Sequence, residues 1–83
     1  MVKKRSHVEI IADVLRIAKY GAKKSHIVYK ANLNFKLVNE YLTFLKEEDL
    51  ISFPSENDSL FKTTPKGEEY LNQYSKLTNI LTV

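Results

Sequence analysis

The feature that most constrains this chain is a pair of helical patterns almost touching each other in sequence. Residues 31–45 read ANLNFKLVNEYLTFL. Leu37, Val38, Tyr41, Leu42 and Leu45 recur at one-, three- and four-residue steps and make one apolar face of a helix. Just upstream, in SHIVYKA, Ile27, Val28 and Ala31 share a face while His26, Tyr29 and Lys30 point elsewhere. Asn32-Leu33-Asn34 lies between the two, a poor helix interior but a good turn and cap. Helices expected at 25–31, capped by Ser25, and at 34–48, capped by Asn34, leave a turn of about three residues. The first is too short to stand alone and must pack on its neighbours.

The flanks extend this pair. Ser6 and Glu9 form an S-x-x-E capping box ahead of VEIIADVLRIAKY, and Gly21 suits the left-handed position after a helix, so helix 1 is expected at 6–20. Ala22-Lys23-Lys24 is a short extended link. After helix 3, Asp49–Pro54 and Leu60–Thr63 read as the two arms of a β-hairpin over 50–63, joined by the turn-forming Ser55–Ser59. Pro54 marks a strand end or edge. Thr64-Pro65 is a cap followed by an N1 proline and opens a last helix at 65–82, with Gly67 weakening its first turn. Tyr70, Tyr74, Leu77 and Leu81 recur along it, flanked by Leu71 and Ile80, in a short heptad-like stripe.

The order helix, link, helix, turn, helix, hairpin, helix is a helix-turn-helix followed by a wing, a mainly α member of the α+β class. One domain is expected for 83 residues. So small a core stabilises marginally, and without cysteine neither disulfides nor thiolate metal sites can help, which leaves self-association as the route to extra burial. No apolar run approaches the roughly 20 residues of a membrane span, and Met-Val-Lys-Lys-Arg is not followed by a signal-peptide core, so a cytoplasmic protein is expected.

Charge is divided unevenly. Residues 1–36 carry nine Lys or Arg against Glu9 and Asp13, a net +7, whereas residues 37–83 carry four against eight acids, a net −4. A basic first half suggests a surface that faces a polyanion, with a merely solvated surface as the alternative. His7 and His26, without helical i, i+4 spacing or any cysteine, do not make a zinc site. Glu9 and Asp13 lie one turn apart, but no cleft or substrate handle accompanies them, and Asp13 near Arg16 reads as a helix-surface pair. With only Gly21 and Gly67 there is no phosphate-binding glycine loop. The expectation is a protein without cofactor, metal or catalytic activity.

The segments KKRSHVEIIADVL, GAKKSHIVYKANLNFKLVNEYLTFL, LI and KTTPKGEEYL resemble the archaeal winged-helix DNA-binding domains, found both as small transcriptional regulators and as ten-kilodalton chromatin proteins. The resemblance covers residues 4 to about 74. It implies that helix 3 is the recognition helix and that the last helix forms a dimer contact, here along Tyr70, Leu71, Tyr74, Leu77 and Leu81. Two departures stand out. The last helix stops at Val83, so pairing must be shorter than in the chromatin proteins. The hairpin carries Glu56 and Asp58 with only Lys62 near them, which argues against pressing it on phosphates.

If helix 3 enters a major groove, its front end supplies Asn34, Phe35, Lys36 and Asn39. Asn pairs with adenine, Lys reaches guanine or phosphate, and an aromatic ring can meet a thymine methyl. Each has a plainer alternative: Asn34 as an N-cap (compatible with a DNA role), Phe35 as a hydrophobic contact closing the turn, Lys36 and Asn39 as solvated side chains. Tyr41 reads as core. Backbone-positioning contacts are expected from Lys23, Lys24, Ser25, His26, Tyr29 and Lys30. Lys3, Lys4 and Arg5 form a basic arm that lies along DNA or frays. Three functions follow, the first two implying a nucleoid-associated protein: a homodimeric transcriptional regulator bound to double-stranded DNA, an architectural chromatin protein that binds DNA with little sequence preference, or a winged-helix protein-interaction module using Phe53 and Phe61.

Overall fold

The computed structural model describes residues 6–54 and 59–81. Their elements run α1 (His7–Ile17), α2 (Lys24–Ala31), α3 (Phe35–Glu47), β1 (Ile51–Ser52), β2 (Lys62–Thr63) and α4 (Pro65–Leu81). The tip of the hairpin, with Glu56 and Asp58, lies outside the described residues.

Local sequence accounts for the helix starts. At α1 the Ser6 hydroxyl accepts from the Glu9 N–H at 3.2 Å, and the Glu9 carboxylate accepts from the Ser6 N–H at 3.4 Å, a reciprocal capping box. The Asn34 side chain accepts from the Leu37 N–H at 2.8 Å and caps α3. The Thr64 hydroxyl accepts from the Gly67 N–H at 3.1 Å at the head of α4, while donating to the Asp49 carbonyl at 2.7 Å. The start of α2 differs from expectation. Lys23 occupies the N-cap without a side-chain cap bond, and Ser25 sits exposed inside the first turn. The reason is tertiary. Ala22 pairs antiparallel with Phe61, its N–H and carbonyl bonding at 2.9 and 2.8 Å, so the chain is still extended at Lys23 and turns into helix directly afterwards. The link is thus a third, one-residue strand of the hairpin sheet, beside the β1–β2 pairs Ile51↔Thr63 and Ser52↔Lys62.

α1 ends at Ile17, three residues short of the expected Tyr20. Its last carbonyls are drawn to the hairpin. The Thr63 hydroxyl donates to the Leu15 carbonyl at 2.6 Å, and the Thr63 N–H to the Ala18 carbonyl at 3.0 Å. Residues 18–20 form a turn, which Gly21 closes at φ 98° with its N–H on the Ala18 carbonyl. The φ is what excludes a side chain at Gly21; a β-carbon there would also stand 2.9 Å from a Leu60 methyl, which would have to shift.

Two non-glycine residues with positive φ make the other corners. Asn32 (φ 56°) ends α2, with Leu33 N–H bonded to the Val28 carbonyl at 3.1 Å. Asp49 (φ 60°) ends α3 in a Schellman arrangement, Leu50 N–H to Leu45 carbonyl at 2.8 Å and Asp49 N–H to Lys46 carbonyl at 3.0 Å. Around these corners Val14, Leu15, Ala18, Ile27, Val38, Leu42, Leu45, Ile51 and Phe61 close one core.

Gly67 corrects an expectation. It does not merely weaken α4. A β-carbon there would lie 2.2 Å from the Leu50 carbonyl oxygen and 2.6 Å from the Thr63 methyl, so α4 can approach the hairpin only because the residue is glycine. Gly67→Ala is therefore expected to destabilise the fold by about 1–3 kcal/mol through overpacking. Thr63→Val, which keeps shape but loses the buried hydroxyl, should cost about 1–2 kcal/mol. Urea titration of both variants checks this; a Gly67→Ala protein as stable as the parent contradicts the close approach.

Candidate nucleic-acid interface

α3 presents three different faces. Val38, Leu42 and Leu45 are buried. At 3.6 residues per turn, Lys36, Asn39 and Thr43 fall within about 60° of one another on the side away from that core, and all three are exposed. Leu37, expected in the apolar face, instead keeps 37% of its surface, and Phe44 keeps 46%. With His7, Ile11, Glu40 and Tyr41 they line a mainly apolar groove of about 320 Å³ between α1 and α3. Tyr41 is half-buried there, its hydroxyl hydrogen-bonded to His7 Nδ1. So α3 is flanked by a polar strip on one side and an apolar groove on the other.

At the front of α3 the plainer roles are partly settled. Asn34 is the N-cap, which engages one lone pair of its side-chain oxygen and leaves the amide N–H groups to donate. Phe35 does not close the turn: it keeps 54% of its surface, and it is Leu33 that packs on the core. The first turn of α3 carries no acid, so its partial positive charge is not offset there.

The helix 2 candidates divide by direction. His26 and Lys30, one turn apart, line an open cleft of about 410 Å³ with Asp13, Arg16 and Ile17 of α1. Arg16 in that cleft donates to the Asp13 carboxylate at 2.9 Å, the pair the sequence suggested. Lys24 is half-buried and lies on the opposite side of α2, while Ser25 and Tyr29 point outward, Tyr29 with 81% of its surface exposed. Lys23 is exposed at the N-cap. Lys3, Lys4 and Arg5 lie outside the described residues. One electrostatic signal was missed in the sequence: no acid occurs between Asp13 and Glu40, a span that carries Arg16, Lys19, Lys23, Lys24, Lys30 and Lys36. It contains the whole of α2 and the front of α3. Among the described residues no group of three or more His, Asp or Glu could hold a metal ion, and no helix is long and apolar enough to cross a membrane.

The stripe on α4 is mixed. Tyr70 and Leu71 pack against the core of their own chain. Tyr74 is half-buried, and Leu77 keeps 59% of its surface. The Leu81 side chain lies outside the described residues. Burial, and then the neighbouring Tyr74 phenol, hold the Tyr70 hydroxyl above the usual tyrosine value.

The pattern of a winged helix-turn-helix family matches residues 4–82, and the chain belongs to that family. Its sequence is similar to two uncharacterised proteins of the archaeon Methanocaldococcus jannaschii. MJ0287 is 32% identical over 79 residues, covering 94% of this chain and 78% of that protein. MJ0290 is 30% identical over 79 residues, and there the chain spans only 36% of the relative's length. Among solved structures the fold is similar to Sso10a-2, a DNA-binding protein from Sulfolobus solfataricus, with a TM-score of 0.82 at 20% identity over 94% of this chain and 83% of that one. It is also similar to BpsR of Bordetella bronchiseptica, with a TM-score of 0.73 at 16% identity over 96% of this chain and 59% of that one.

Two outcomes follow from the geometry. Asn34→Ala should lower stability by about 1 kcal/mol through loss of the cap, read by thermal unfolding. Because the folded state disfavours the Tyr70 phenolate, its contribution to stability is intact below about pH 10 and is lost as pH rises through the raised value. Tyr70→Phe should remove that alkaline loss, measured by unfolding between neutral pH and pH 12; an unchanged alkaline profile contradicts it.

Proposed function

We propose that this member of the winged helix-turn-helix family binds double-stranded DNA with α3 in the major groove and acts as a homodimeric transcriptional regulator. The observation that carries the reading is the exposed polar strip Lys36–Asn39–Thr43 on α3, beside a capped and acid-free helix start. Lys and Asn are the side chains that read guanine and adenine edges, and Thr meets bases of either kind. The free N–H groups at the start of α3 and the cations Lys23, Lys24 and Lys30 offer the phosphate contacts that set register. His26 lies with Lys30 on the α1 side of α2, opposite Lys24, and Ser25 and Tyr29 point outward between them, so these candidates approach the backbone as two groups, with the Asn34 amide and exposed Phe35 beside the reading strip. The basic arm Lys3–Arg5 is assigned to the same duplex.

Dimerisation is proposed along α4 through Tyr74, Leu77 and Leu81, with Tyr70 and Leu71 anchoring the helix to its own domain. The support is Leu77, a large apolar side chain left open in line with the others. A nucleoid-associated protein without catalytic activity follows from this reading.

The test is binding to random-sequence duplex at several salt concentrations, alongside selection from a sequence pool. The regulator is expected to lose affinity steeply with salt and to select a motif preferred by about a thousandfold or more. Asn39→Ala should cost about 1–3 kcal/mol on that motif and relax the preference at one position. Lys23→Ala should weaken all sequences alike and reduce the salt slope by about 0.9. Steep salt dependence without a selected motif identifies an architectural protein instead. No binding at about 50 mM salt contradicts DNA binding and leaves the protein-interaction module.

A further inference from the structure

The hairpin is held to α3 by very little backbone. Among the described residues β1 and β2 are two residues each, and one further pairing, Ala22 with Phe61, links the hairpin to the segment ahead of α2. A two-stranded ribbon of that size is marginal by itself, so side chains, beside the backbone bonds of Leu50 and Thr63, help to set its angle to α3. One cluster does this. Lys46, in the last turn of α3, places its ammonium 4.5 Å from the centre of the Phe53 ring. Phe53, which follows β1, meets Phe61 edge-on, with centroids 4.9 Å apart at 70°. Phe61 is buried and is the residue whose backbone pairs with Ala22 ahead of α2. The chain of contacts therefore runs from α3 through both arms of the hairpin to the entrance of α2. Lys46 also lies seven residues from Asn39 and three from Thr43, on the side of α3 that carries the polar strip.

We propose that the stacked set Lys46–Phe53–Phe61 fixes the two described arms of the hairpin at the edge of the α3 polar strip, so that Lys46 and Phe53 are positioning residues for DNA binding. The inference rests on the DNA-binding reading above. It assigns Lys46 a role different from that of the other cations. Its charge is turned onto a ring face, where it organises the wing, rather than onto a phosphate. It also gives the exposed Phe53 a function within the domain instead of as a docking surface for another protein.

The test compares Lys46→Met, Phe53→Leu, their double variant and Lys46→Arg. The methionine keeps an apolar stem without the charge, and the arginine retains the ring contact. In the free protein the Lys46 ε-methylene protons should resonate upfield through the Phe53 ring current, and this displacement should vanish in Phe53→Leu. On a selected duplex each single variant should bind about two- to fivefold more weakly, the range of an exposed cation–π contact. The double variant should bind no more weakly than the singles, the salt slope should stay that of the parent, and Lys46→Arg should bind like the parent. Additive losses, an unshifted ε-methylene resonance, or a slope reduced by about 0.9 in Lys46→Met, the mark of a phosphate contact, would overturn the clamp while leaving DNA binding intact. Absence of salt-sensitive binding by the parent protein would instead overturn the DNA reading, and this role with it.

Discussion

Thr63 ties the molecule together. It is the one buried polar side chain among the described residues. Its hydroxyl and its N–H hold the Leu15 and Ala18 carbonyls at the end of α1. Its backbone pairs with Ile51 across the hairpin, and its methyl faces Gly67 in the first turn of α4. Elements as far apart in sequence as α1 and α4 therefore meet on one residue. A valine there would pack as well but leave the Leu15 carbonyl without that donor, and a residue larger than glycine at 67 would push α4 off the site. The shortened α1 and the close entry of α4 follow from satisfying this residue, which also ties β2 to the end of α1.

With that corner fixed, the orientation of α3 is set by two chain reversals. Asn32 and Asp49 both take left-handed conformations, which Asn and Asp accept more readily than most residues. One turns the chain into α3 and the other out of it, each leaving a carbonyl of the preceding turn bonded by an apolar residue, Leu33 or Leu50. α3 is then sealed to the core through Val38, Leu42 and Leu45 and shows Lys36, Asn39 and Thr43 outward. The polar strip is a consequence of which third of the helix the core consumes. The family assignment, carried by the match over residues 4–82, agrees with this architecture.

Much of this was legible in the sequence because it is encoded locally. Ser6 with Glu9, Asn34 and Thr64-Pro65 announce helix starts through groups three residues apart, and the structure shows each cap bond. What escaped depends on partners far along the chain. Ser25 has the chemistry of a cap, but the pairing of Ala22 with Phe61 moves the N-cap of α2 two residues earlier, to Lys23. Lys19 and Tyr20 continue a helical pattern, yet Thr63, more than forty residues on, claims the carbonyls that would have extended it. Periodicity placed Leu37 in the core without showing that α1 leaves an open groove beside it, where Phe44 also stands. Gly67 looked like a helix weakness because the clash it avoids is with Leu50 and Thr63 in the hairpin. For the site, exposure of Lys36 and Asn39 was readable from the stripe they avoid. The separation of His26 and Lys30 from Lys24 was not, since it depends on where α1 lies against α2.

The central claim is that the polar strip of α3 and the start of α2 form the surface that meets DNA. Backbone amide mapping by NMR, with isotope-labelled protein titrated by a short duplex in low salt, tests it most directly. The account predicts the largest shifts at residues 23–26, 34–40 and 43, with α4 beyond Tyr70 little changed. Shifts concentrated instead in the α1–α3 groove, at Ile11, Leu37 and Phe44, or along α4, with the strip silent, would contradict it.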